Sequence, residues 1–165
     1  MTTPARVFID ASLFLGMHSR DESVRVSSKN FIVGRLQEGV TMSLEHVGRC
    51  DDIIWRYGRT LQDAYYPFMD NLHTDMRIER VGYEEEELRL ALDSPLLAEL
   101  SLFHRTLLAR VLRTGGVLFT VSPRLLGRRA LPVQSPVSGP EAEFPERLER
   151  LYRTSLELRL ETQEL

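Results

Sequence analysis

The chain has 165 residues, of which 42% are hydrophobic and 27% charged; this suits one globular domain able to bury its own core and excludes a disordered chain. A formal net charge of −3 gives no global attraction to nucleic acid or anionic membrane, so any such contact must come from local clustering of charge. One cysteine, Cys50, excludes an intrachain disulfide and suits a reducing, cytoplasmic compartment. No apolar signal-peptide core precedes the first strand-like run, and no apolar run is long enough to span a bilayer. Lys29 is the only lysine among 21 basic residues, a bias read as genomic base composition.

In chain order, Val7-Phe8-Ile9 is β-prone and ends at Asp10, and Ala11 to Gly16 reads as helical. Ser23 to Leu36 carries Val24, Phe31, Ile32 and Leu36 at helical spacing, and Gly39 stops it. Val40-Thr41-Met42 reads as a second strand, and Ser43 suits the N-cap of a helix that turns Leu44, Val47, Ile54 and Cys50 inward. A helix over Leu61 to Leu72 contains Pro67, which predicts a kink or an interruption. Met76 to Val81 gives a third strand, and Glu84 to Glu87 open a helix whose positive end favours acidic residues. Pro95 sits at the first turn of a predicted long helix reaching Arg113, where Gly115-Gly116 end it. Val117 to Val121 is the clearest buried strand, with Leu131-Pro132-Val133 as a short edge strand. Gln134 to Pro145 reads as a linker or exposed loop, and Glu146 to Glu161 as an amphipathic helix. Strands alternating with helices imply an α/β domain around a mainly parallel sheet, with ligand chemistry at the strand ends.

Two segments carry a family resemblance. Val7-Phe8-Ile9-Asp10-Ala11-Ser12-Leu13-Phe14 is similar to the opening strand of PIN-domain nucleases, which is followed by Asp, a small residue and Asn or Ser. Leu100-Ser101-Leu102-Phe103-His104, continuing through Leu107-Leu108-Ala109 to Gly115, Leu118-Phe119-Thr120 and Ser122, resembles that family's penultimate helix, strand and following loop. The resemblance covers roughly residues 6 to 135. It implies a three-layer α/β/α fold with a central, mainly parallel sheet of four to five strands, spanning residues 1–135. Residues 136–165 would then form a linker and a C-terminal helix that packs on the domain or on a homodimer partner.

The resemblance also implies a function: metal-dependent cleavage of RNA by three or four carboxylates around a divalent ion, Mg²⁺ or Mn²⁺. Matched position by position, the first carboxylate is Asp10 and the second Glu45, with Asp51 and Asp52 as competitors. Glu45 and Asp52 are seven residues apart, hence on one helical face. The third and fourth positions hold His104 and Ser122, neither acidic, so the pattern is degenerate. A histidine there suits Mn²⁺, Fe²⁺ or Zn²⁺ over Mg²⁺. Each residue also has a structural explanation: Asp10 as a helix cap, Glu45 as a partner of the helix dipole, His104 as a core histidine, Ser122 as a turn residue. No acidic residue lies between Glu99 and Glu141, and Arg124, Arg128 and Arg129 follow the strong strand, where they suit phosphate binding. Two functions therefore stand: a PIN-like ribonuclease, or an inactive PIN-like module that binds RNA or a protein partner. A haloacid-dehalogenase-type phosphotransferase needs an Asp where Ser12 stands, and no Gly-rich phosphate loop follows any strand.

Overall fold

The computed structural model describes residues 3–161, 163 and 165. The β-branched and aromatic run Val7–Ile9 forms β1, and the extended backbone of Asp10 then caps α1 (Ala11–Gly16). Asp21 caps α2 (Glu22–Gly34) by accepting from the Ser23 and Val24 amides. Gly39, at φ 78°, turns the chain into β2 (Val40–Ser43); a Cβ there would meet the Arg77 carbonyl. Ser43 closes β2 and caps α3 (Leu44–Ile54) by accepting from the His46 amide at 3.1 Å. Then follow α4 (Arg59–Asp75), β3 (Ile78–Val81), α5 (Glu85–Asp93), α6 (Leu102–Arg113), β4 (Val117–Phe119), α7 (Pro123–Leu126), β5 (Val133–Gln134) and α8 (Glu146–Ser155).

The five strands form one sheet in the order β3-β2-β1-β4-β5, parallel throughout. Phe8 lies level with Thr41 of β2 on one side and Leu118 of β4 on the other. Side chains alternate between faces, so Ile9 joins one core and Phe8 the other. The larger core gathers α1, α2, α3, α4 and α8 around Phe68, Tyr65 and Tyr152; the smaller packs α5, α6 and α7 through Leu107, Val111 and Leu125. The fold is thus three-layer α/β/α. Succession reverses between β1 and β4, which leaves a crevice at their C-terminal ends.

Several elements depart from the sequence pattern for identifiable reasons. Helix α4 continues through Pro67, because burial of Tyr65, Phe68, Met69 and Leu72 outweighs a loss of about 3 kcal/mol for an internal proline. The expected long helix from Pro95 to Arg113 is divided into a 3-10 turn at Pro95–Leu97 and α6, with Leu97 and Leu100 buried at the break. Leu44 of α3 is 56% exposed instead of facing inward. The last helix stops at Ser155, and Leu158 and Leu160 enter the core beyond it. There the Leu160 amide donates to the His18 carbonyl at 2.8 Å, and the Arg20 amide donates to that of Leu160 at 2.9 Å.

The expected linker is fastened down. Asn30 donates to the Pro140 carbonyl at 2.8 Å and accepts from the Ala142 amide at 2.7 Å. Lys29 is fully buried, and its Nζ reaches Glu141 and Glu149 at 2.7 Å each. Arg25, also buried, joins Glu141 at 2.5 Å and donates to the Tyr152 hydroxyl at 2.9 Å. The C-terminal helix therefore belongs to the same core as the sheet.

Candidate functional site

Asp10 stands at the centre of the crevice and is 1% exposed. Its Oδ1 accepts from the Leu13 amide at 3.0 Å and the Ser12 hydroxyl at 2.8 Å, and its Oδ2 accepts from the Thr120 hydroxyl at 2.5 Å. The Val121 amide donates to Ser12 Oγ at 3.2 Å, and the Ser122 amide to Thr120 Oγ1 at 3.0 Å. One carboxylate thus clasps the end of β1 to the loop after β4. Both of its oxygens are engaged inside the protein.

The opposite wall comes from α3 and α6. His46, in the first turn of α3, is 1% exposed and stacks on Phe103 at 4.0 Å between centroids. Its Nδ1 accepts from the Ala11 amide at 3.0 Å, so the ring proton is on Nε2, which has no hydrogen-bond partner. Burial pulls its pKa down to about 4; Asp10 opposes the shift, His104 adds to it, the Phe103 carbonyl opposes it and Arg49 adds least. Burial also lowers His104, whose Nδ1 is likewise unpartnered, with Asp10 opposing and Arg124 reinforcing. Arg49, one turn along α3, lies 6.0 Å from the Phe103 ring centroid. Together these side chains line a cleft of about 410 Å³, which Ser101 and Ser122 also border.

The residues expected from sequence divide. Asp10, His104 and Ser122 meet in this cleft. Glu45 does not line it; it is exposed and accepts from the Thr106 hydroxyl at 3.2 Å. Asp52 is paired with Arg56 at 2.6 Å on the outer face of α3, and Asp51 accepts from the Tyr66 hydroxyl at 3.1 Å beside a separate pocket. Glu45 and Asp52 do share a helical face, but it is the solvent face; the inward face holds His46, Cys50 and Ile53. That i, i+4, i+7 spacing was the signal for His46. Cys50 is buried, and burial pushes its thiol well up, away from nucleophilic use. Of the arginines, Arg128 pairs with Glu99 at 3.2 Å, while Arg124 and Arg129 are exposed and make no ion pair among the described residues.

A divalent metal fits this donor set poorly. Mg²⁺ requires near-octahedral oxygen ligation, yet the cleft has a single carboxylate, already accepting three hydrogen bonds. Among the described residues no group of three or more His, Cys, Asp or Glu side chains is arranged to hold an ion. What the cleft does offer is donors: the Arg49 guanidinium, imidazole N–H groups and serine hydroxyls.

Over residues 1–165 the chain matches a family described as a family of unknown function, DUF6190. No curated protein matches it.

Proposed function

Because the chain belongs to DUF6190, whose description assigns no activity, its role has to be read from its cleft, and we propose that it is a PIN-like module that binds single-stranded RNA without a metal cluster. The observation that carries this reading is the inversion of the cleft's chemistry. Its one carboxylate is consumed by internal hydrogen bonds, whereas Arg49, His46, His104 and Ser122 present donors. Arg124 in α7, near enough to His104 to act on its charge, and Arg129 in the loop after that helix are free of ion pairs among the described residues and add exposed positive charge beside the cleft's α7 side. Phosphates need such donors, and arginines fix a strand's backbone without reading its sequence. The metal-dependent ribonuclease is less well supported, since Glu45 and Asp52 lie outside the cleft.

Fluorescence anisotropy with a labelled single-stranded RNA in EDTA tests the proposal. Binding should persist in EDTA, weaken as salt rises with a log–log slope of about 0.7 per phosphate contact, and fall sharply in Arg49→Glu and Arg124→Glu. Absence of RNA binding would move the function to a protein partner. Cleavage of the same RNA after Mg²⁺ or Mn²⁺ addition, lost in Asp10→Asn, would restore the nuclease reading.

A further inference from the structure

We propose that the floor of the cleft is a subsite for a phosphate oxyanion, with the Nε2–H of His46 as its fixed donor and Arg49 as its charge partner. This deepens the RNA-binding reading and rests on it for the ligand class. The first support is the unmet donor. His46 is buried, its Nε2 has no partner, and the ring lines the cavity. A buried donor without an acceptor is unfavourable, and a native structure that keeps one has a reason for it.

The second support is that the proton is held on Nε2, where the nearby Phe103 carbonyl does not reach hydrogen-bond geometry. The Ala11 amide, 3.0 Å from Nδ1, demands an acceptor nitrogen, and the Phe103 stack fixes the plane of the ring. Turning the ring over would put Cδ2 where Nδ1 stands and leave the Ala11 amide without an acceptor, so the ring keeps this orientation and carries its proton on Nε2, into the cleft. Burial keeps the ring neutral, so this donor persists across the physiological pH range.

The third support concerns charge. A neutral N–H alone accepts any oxygen, but Arg49 follows at i+3 on the same helix, and its guanidinium lies beside the Phe103 ring. Its one carboxylate neighbour, the exposed Asp52, is 3.5 Å away, so the guanidinium has donors to spare. His104, with its own unpartnered Nδ1, borders the same space. Asp10 also lines the cleft and its charge acts on both imidazoles; the hydrogen bonds from Ser12, Leu13 and Thr120 disperse that charge without removing it, which makes Arg49 the group an anion there requires. The cationic and N–H groups therefore face the ligand, and an oxyanion is the group they complement.

Long-range ¹H–¹⁵N spectra of the whole ¹⁵N-labelled chain, which resolve imidazole nitrogens, test this in titrations with inorganic phosphate, a nucleoside 5′-monophosphate and the parent nucleoside. Both phosphates should move the His46 Nε2 resonance saturably and the nucleoside should not. Arg49→Ala should weaken the effect about tenfold or more. His46→Gln, whose amide can accept from Ala11 and still donate, should retain phosphate binding within a few-fold, while His46→Phe should lose it. Phosphates that leave His46 unmoved, or shifts confined to residues outside the cleft, would overturn the subsite even if RNA still binds. Movement of His46 by phosphate without any RNA binding would keep the subsite and overturn the RNA module. The wild-type spectra decide the matter even where a variant fails to fold.

Discussion

Replacing Lys29 by Met keeps an unbranched apolar stem, one atom shorter, and removes the ammonium with its charge and its donors. In the native protein that ammonium is fully buried, lies 2.7 Å from both Glu141 and Glu149, and sits 4.7 Å from the Tyr152 ring centroid. Breaking one side of a buried ion pair costs about 3–5 kcal/mol, because the remaining charge is stranded. Here the stranding is incomplete. Glu141 keeps Arg25 at 2.5 Å and Arg153 at 2.7 Å, and Glu149 keeps Arg153 and the Phe144 amide, each at 3.0 Å. The lower end, about 3 kcal/mol, is therefore expected, which for a domain of this size lowers Tm by roughly 6–12 °C. Urea and thermal denaturation followed by circular dichroism would measure it, with an unchanged m-value marking a folded-state effect. Adding Glu149→Gln in the Lys29→Met background should recover part of the loss, since it removes a largely buried carboxylate left with only the half-exposed Arg153 as its cation. A Tm within about 2 °C of wild type, or a double mutant as destabilised as the sum of the singles, would refute the reasoning.

Stability should also fall with acid. His18 is fully buried, and burial holds its pKa near 3 against 6.5 when exposed, so the unfolded chain binds the extra proton. The stabilisation is complete above 6.5 and drains away as pH falls toward 3; Glu141, held near 2 chiefly by Arg25 against an ordinary 4.5, adds a further loss below 4.5. Urea midpoints should trace that decline, and His18→Gln should flatten its upper part; an equally steep curve in the variant would contradict the assignment. Gly116→Ala would push a methyl against the Arg6 carbonyl and the Phe8 ring, both 2.8 Å away, and should cost about 1–3 kcal/mol by thermal melt. Gly48→Ala, inside α3 with nothing within 4 Å, should instead add about 0.5–1 kcal/mol. Thr120→Val leaves Asp10 Oδ2 and the Ser122 amide unmet, at a cost of about 1–3 kcal/mol; equal stability to wild type would show that the clasp is dispensable. Mg²⁺ should leave the wild-type Tm unmoved, and a rise abolished by Asp10→Asn would contradict the account of the donor set.

Much of the architecture is legible from local chemistry. Val7-Phe8-Ile9 before Asp10, Ser43 before α3, and Val117 to Phe119 after two glycines all announce themselves by β-propensity, capping and helix termination. These signals need only neighbours in sequence. The misread features depend on partners far along the chain. Nothing near Pro67 indicates that the burial of Tyr65 and Phe68 will carry the helix through it. Lys29, passed over as compositional bias, meets its carboxylates 112 and 120 residues later. At the cleft, the position of Asp10 was readable because a strand end fixes it. Glu45, expected as the second carboxylate ahead of Asp51 and Asp52, lies outside because the inward face of α3 is set by Cys50, Ile53 and Ile54 and not by Leu44, and that rotation brings in His46 and leaves Glu45 to solvent.

The way α8 completes the larger core constrains the order in which this protein can fold. Tyr152 donates to the Met17 carbonyl at 2.8 Å and accepts from Arg25, and Leu148 and Phe144 fill the same space. During synthesis, α1, α2 and α4 are made long before that plug. Until it leaves the ribosome they carry an open apolar trough and a lysine with no counter-ion. β1 must likewise wait for β4, made more than a hundred residues later, to cover its second edge. Contacts of such sequence separation slow folding and lengthen the exposure of sticky intermediates. A chain cut within the proline-rich segment before α8 would therefore expose the core side chains that Phe144, Leu148 and Tyr152 cover, and is expected to fold poorly or not at all.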